Sequence, residues 1–224
     1  MLPMRLLLLR HGQTPSNVGG LLDTASPGPG LTALGRRQAA AVPDALGDRR
    51  IDAVAVSSLV RTAQTAAPLA VARGLEPVVL PGLREIEAGD LEMAATHEAH
   101  LRYLGTVFGW ARGDVTRAMP GGPDGRAFLE RYDDAVTQLA RAGWEDVLVV
   151  SHGAAIRTWV AARAAGVDID HAERTALANT GLVEVEGDPG SGWRVVAWSA
   201  EPVGGPAVDA LLADDPTGEP VDEV

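Results

Sequence analysis

The sequence predicts an α/β fold, a mixed and mostly parallel sheet flanked by helices on both faces. Three observations carry that prediction. Short apolar runs alternate with longer amphipathic stretches along most of the chain, the pattern of strands crossing over to helices. Two late β-type runs flank a Gly/Pro/Ser turn, which adds an antiparallel hairpin to the sheet. A length of 224 residues with 46% hydrophobic content buries a core without staples, in keeping with a chain that contains no cysteine.

Each element follows from local pattern. Residues 4–9 are a continuous apolar run of strand length. A helix is expected over 32–46, with Thr32 as its cap and Leu34, Ala39, Val42 and Leu46 along one face. Residues 52–56 read as a second strand, 59–73 as a helix stopped by Gly74, and 76–80 as a third strand. A helix over 126–142 ends near Gly143; a strand over 146–150 then leads into a helix over 154–165. Residues 181–186 and 193–199 form the hairpin. Residues 1–200 thus read as one domain, interrupted at 93–125 by a helical insert or cap. Tyr103, Phe108, Trp110 and nearby arginines of that insert are candidate substrate contacts. Residues 201–224 read as an acidic, mobile tail with a short helical turn over 208–212.

Composition narrows the chemistry. Without cysteine there is no thiolate nucleophile, no thiolate zinc site and no iron–sulfur cluster. A net charge of -11 disfavours nucleic acid and anionic lipid as bulk partners. Seven of those charges sit in 201–224, where there is no arginine, leaving 23 acids against 19 arginines in the body. All nineteen cations are arginine, so a few of them can be read as planar, bidentate anion binders. No apolar stretch reaches membrane-spanning length, and the leucine run at 6–9 ends in Arg-His-Gly without a small-residue cleavage pattern. The expectation is a soluble cytoplasmic protein; a homodimer is compatible with it.

One local echo carries the functional reading. Leu6-Leu-Leu-Leu9-Arg10-His11-Gly12 closes the first strand, and Val147-Leu-Val-Val150-Ser151-His152-Gly153 closes a later one. In open α/β sheets ligands bind at the carboxyl ends of strands, so two histidines distant in sequence can converge there. Either alone reads as a satisfied strand-end histidine; the repeated context favours a site. No further ligand stands at helical or strand spacing from either histidine, and Arg10 would repel a cation, so no metal is expected. An anion fits better. Arg61 opens the helix after the second strand, where the helix dipole already favours negative charge. Two arginines and two imidazoles around one crevice describe a phosphoryl pocket.

Arg10-His11-Gly12-Gln13-Thr14-Pro15-Ser16-Asn17 resembles the signature of the histidine phosphatase superfamily, the phosphoglycerate mutase-like enzymes. The resemblance runs from about Met4 to Ser199. It includes Leu31-Thr32 with Gly35 and Gln38-Ala39, the segment from Ser57 to Ala66, and Leu83-Arg84-Glu85 with Gly89. It continues through Pro120-Gly121-Gly122 with Arg131, Ser151-His152-Gly153 and Asn179. It departs at Met93, where the family's acid motif often ends in Gly, and at Gly30, where a Pro is frequent.

The resemblance implies a phosphoglycerate mutase-like fold and a phosphohistidine intermediate on His11. It implies that Arg10, Arg61 and His152 grip the phosphoryl oxygens, that Asn17 assists and that Glu85 protonates the leaving group. Gln13 and Gly153 join Asn17 as candidate substrate-binding residues. Phosphoryl transfer needs chiefly positioning and cationic or N–H donors, which suits this set without a cofactor. The expected partner is a small phosphorylated metabolite and the expected activity a metal-independent phosphatase. The alternative is a phosphomutase, disfavoured by the absence of any lysine to bind substrate.

Overall fold

The computed structural model describes residues 3–209 and Thr217. Seven strands form one sheet in the order β3-β2-β4-β1-β6-β7-β5. They are β1 (Met4–Arg10), β2 (Ala53–Val56), β3 (Val78–Val79), β4 (Asp146–Ser151), β5 (Ala164–Ala165), β6 (Leu182–Asp188) and β7 (Gly192–Ser199). The pairs β1·β4, β4·β2, β2·β3 and β5·β7 are parallel; β6 runs antiparallel to both β1 and β7.

Strand alternation explains the layers. Leu6, Leu8, Val147 and Val149 face one side, in the cluster formed with α4 (His97–Ala111), α5 (Gly125–Arg141) and α6 (Gly153–Arg163). Leu7, Leu9, Leu148 and Val150 face the other, against α2 (Ala33–Leu46) and α3 (Val60–Arg73). Each of the four β1 leucines is buried, worth roughly 1.5–3 kcal/mol apiece. The expected caps are present: Thr32 Oγ1 accepts from Gly35 N at 2.9 Å, and Gly74 ends α3 in the left-handed conformation.

Four features depart from expectation. The third strand is only two residues long, because it is an edge strand paired with β2 alone. The helix expected over 154–165 ends at Arg163, and Ala164–Ala165 instead pairs with β7, whose free edge offers backbone hydrogen bonds. Two short helices, α1 (Pro15–Val18) and α7 (Ile169–Arg174), carry too few apolar residues to show as periodic. The aromatic residues of the insert contribute to the core: Tyr103, Phe108 and Trp110 are buried, and Trp110 stacks on Phe128 of α5. Tyr103 Oη donates to Ile86 O at 2.8 Å, and Arg112 pairs with Asp170 and Glu173 of α7. The three aromatic side chains expected as substrate contacts are thus packed in the core.

Beyond β7 the chain stays on the body as far as Asp209. Val203 N donates to Thr180 O at 3.1 Å, and Gln38 Nε2 to Val208 O at 2.9 Å. A 3-10 turn over Pro206–Val208 meets the expected helical turn only at Val208. The rest of that turn, and the expected mobility of most of the tail, lie outside the described residues.

Candidate active site

Parallel pairing of β1 with β4 puts the two histidines side by side. Arg10 is opposite Ser151 in the register, and His11 N donates to Ser151 O at 3.0 Å. The rings of His11 and His152 lie 5.2 Å apart at 63°. Both are buried.

The two imidazoles are held differently. His11 Nδ1 lies 2.8 Å from Gly12 O, so the proton sits on Nδ1 and Nε2 carries the lone pair. Arg61 Nε donates toward that Nε2 at 3.2 Å. His152 Nε2 bonds Ser57 Oγ at 2.8 Å, and its buried Nδ1 has no hydrogen-bond partner among the described residues. Burial first, then the Arg61 and Arg10 guanidiniums, hold His11 well below the usual imidazole range. Burial likewise depresses His152, followed by Arg61 and His11. Both rings are neutral near pH 7, the state a nucleophile or a hydrogen-bonding ring needs.

The two arginines come from neighbouring elements. Arg10 Nη1 donates to Leu177 O at 2.8 Å, and Nη2 to Thr217 Oγ1 at 3.0 Å. Arg61, on the first turn of α3, donates from Nη2 to Asp23 O at 2.9 Å. Thr65, one turn on, receives Gly12 N at 2.9 Å and so ties α3 to the histidine loop. Gly12 and Gly35 let that loop and α2 meet backbone to backbone. A Cβ at Gly35 would overlap the Gln13 carbonyl oxygen.

Glu85 is buried behind the histidines, at the N-terminus of α6. Its Oε1 accepts from Ile86 N at 2.9 Å and Ala155 N at 2.8 Å, and its Oε2 from Ala154 N at 3.3 Å. Burial raises its pKa, overcoming these bonds and the pull of Arg61 and Arg10. That describes a carboxyl able to keep its proton above the ordinary range. Neighbouring Arg84 turns away, donating from Nε to Glu87 at 3.0 Å.

The structure therefore brings His11, Arg10, Arg61, Glu85 and His152 to one place. Asn17 stands beside them, its Oδ1 accepting from Thr14 N and from Asn179 Nδ2, which leaves its Nδ2 to donate. Gln13 is buried, with its amide oxygen occupied by Thr32 Oγ1 at 2.9 Å. Gly153 opens α6, where a Cβ would overlap the Thr217 carbonyl. At Met93 the backbone takes φ 61, the left-handed conformation a glycine would adopt there.

Sequence reasoning gave no role to Ser57, Thr65 or Asn179. Asn179 Nδ2 donates to His11 O at 3.1 Å as well as to Asn17, and so fixes the His11 backbone. Ser57 follows β2 directly, and β2 is parallel to β4; that adjacency was the available signal. Among the described residues, no group of three or more His, Asp or Glu could hold a metal ion. No helix of the described residues is long and apolar enough to cross a membrane.

Comparison with known proteins shows the family. The chain is 39% identical over 223 residues to a PE-PGRS family protein of Mycobacterium tuberculosis, covering 92% of this chain but only 38% of that protein. It is 33% identical over 219 residues to a glucosyl-3-phosphoglycerate phosphatase of Mycobacterium tuberculosis, covering 88% of this chain and 94% of the relative. The native structure of mycobacterial glucosyl-3-phosphoglycerate phosphatase superposes with a TM-score of 0.72 at 29% identity, covering 89% of this chain and all of that one. A profile of the histidine phosphatase superfamily, branch 1, matches residues 6–201, and the chain belongs to that family.

Proposed function

We propose that this chain is a phosphatase that hydrolyses small-molecule phosphomonoesters through a phosphohistidine on His11, without a metal ion. The observation that carries the reading is His11 itself. It is a buried neutral imidazole with its Nδ1 proton committed to Gly12 O and its Nε2 faced by Arg61. In the first step Nε2 attacks phosphorus in line, the N–P bond forms and the ester P–O bond breaks. Glu85 gives its proton to the departing alkoxide. In the second step water attacks phosphorus, Glu85 takes a proton from it, and the N–P bond breaks to release phosphate. Arg10, Arg61 and His152 Nδ1 supply donors for the three equatorial oxygens, with Asn17 Nδ2 alongside. Guanidinium charge does here what a metal ion does in other phosphatases.

One of the relatives is by name a glucosyl-3-phosphoglycerate phosphatase, which supports a small phosphorylated metabolite as the substrate class. The test is rapid quench with a phosphometabolite panel in the presence of chelator. An acid-labile phosphoprotein is expected, absent from His11→Ala, with turnover of that variant reduced at least about 1000-fold. Full turnover in His11→Ala, or activity abolished by chelator, would overturn the reading.

A further inference from the structure

The segment that carries Glu85 has almost no secondary structure of its own. After a 3-10 turn over Pro81–Leu83 it runs irregularly to a second over Gly89–Leu91. Five consecutive carbonyls in it, from residue 82 to residue 86, accept from side chains on other elements. Leu83 O receives Ser151 Oγ at 2.8 Å, and Ile86 O receives Tyr103 Oη at 2.8 Å. The other three belong to one residue. Arg131 Nη1 donates to Gly82 O at 2.7 Å and Arg84 O at 2.9 Å, and its Nη2 donates to Glu85 O at 2.7 Å.

We infer that Arg131 is a positioning residue for the catalytic acid, fixing the Glu85 backbone so that its carboxyl meets the leaving-group oxygen. The inference rests on the proposed role of Glu85. Its basis is geometric. The Glu85 carboxylate is tethered by backbone N–H groups at the start of α6, and its carbonyl by a side chain of α5. Between them the acid is held from both ends.

The guanidinium fork reaches the three carbonyls from two separate nitrogens, Nη1 and Nη2, whereas a lysine would have to bring all three to the single nitrogen of its ammonium. The guanidinium is itself immobilised, stacked over Phe128 at 5.1 Å and 3.6 Å from Glu87. Glu87 is in turn held by Arg84. Gly82 completes the fit, because a Cβ there would overlap the Arg131 carbonyl and push α5 away.

A residue that only stabilises the fold would affect every substrate alike. A residue that places the acid affects only leaving groups that need a proton. The experiment compares an alkyl phosphate with p-nitrophenyl phosphate, whose leaving group departs unprotonated, in wild type, Arg131→Lys, Glu85→Gln and the double variant. Rates are normalised to active sites by the phosphoenzyme burst.

Arg131→Lys should lose roughly tenfold or more in kcat on the alkyl ester, part of the 10²–10⁴-fold that a general acid contributes. On p-nitrophenyl phosphate it should stay within roughly threefold of wild type, and it should add nothing to Glu85→Gln on the alkyl ester. Arg131→Gln gives the same comparison if the lysine variant does not fold. Equal losses on both esters, an alkyl rate unchanged from wild type, or failure of both variants to fold would overturn the proposal while leaving the phosphohistidine reading intact. A Glu85→Gln variant with no leaving-group dependence would instead overturn the acid assignment, and the positioning role with it.

Discussion

At the residue scale the site separates two tasks by pushing pKa values in opposite directions. Burial drives the His11 imidazole down and the Glu85 carboxyl up, so the neutral form of each extends over a wider pH range than usual. The sign for activity follows. His11 is already deprotonated at pH 6.5, its ordinary value, so kcat/KM should not fall as pH decreases through that point. Glu85 loses its proton only above its ordinary 4.5, and kcat/KM on an alkyl ester should fall as pH rises through that raised value. Glu85→Gln should remove this alkaline limb and cost roughly 10²–10⁴-fold in kcat. A pH series of kcat/KM on both proteins checks it, and an unchanged alkaline limb in the variant would reject Glu85 as the acid. The four cationic and imidazole groups were legible in the sequence because a strand–His–Gly echo and an arginine at a helix start are local patterns. The roles of Ser57 and Asn179 were not. Ser57 reaches His152 and Asn179 reaches His11 and Asn17, contacts across about a hundred or more positions that no local pattern records.

At the element scale the site is a product of sheet register. Because β1 and β4 are adjacent, parallel and aligned at Arg10 and Ser151, the two histidine loops leave the sheet at one level. A slip of one residue would send one histidine to the other face. The central strands were legible since they are buried on both sides and read as unbroken apolar runs. The periphery was not: a two-residue edge strand and a helix end converted to strand depend on neighbours rather than on propensity. The aromatic residues of α4 show the same limit, since an apolar face looks identical whether it meets a ligand or a helix. The close approach of α2 to the His11 loop gives a test at this scale. Gly35→Ala places a methyl group into the Gln13 carbonyl, and both backbones are fixed, one by the α2 cap and the other by Gln38 Oε1 bonded to Gln13 N at 2.8 Å. The variant should lose about 1–3 kcal/mol in urea unfolding, with kcat reduced because the loop carries His11, the proposed nucleophile. Wild-type stability and turnover would show that the contact is not as tight as described.

For the whole molecule, the buried site couples folding to pH in a way the overall charge does not. The chain carries a net charge of -11, most of it in the last 24 residues, and acidification toward pH 5 makes it less negative. Charge repulsion alone would therefore fall, favouring the compact state. The buried histidines act in the opposite sense. Each has a folded pKa depressed below 6.5, so its contribution is fully present above 6.5 and is lost as pH falls from there toward the folded value. The expected slope is about 1.4 kcal/mol per histidine for each pH unit below that point. Glu85 has a raised folded pKa, so its contribution is fully present below 4.5 and is lost as pH rises through the folded value. One carboxyl thus offsets part of what two imidazoles remove, and the net change on acidification below 6.5 is a loss. Urea unfolding across this range should show wild type weakening while a His11→Asn, His152→Asn double variant weakens far less. If the double variant tracked wild type, the acid sensitivity would belong to groups outside the site, and the picture of two imidazoles kept neutral by burial and by Arg61 would have to be abandoned.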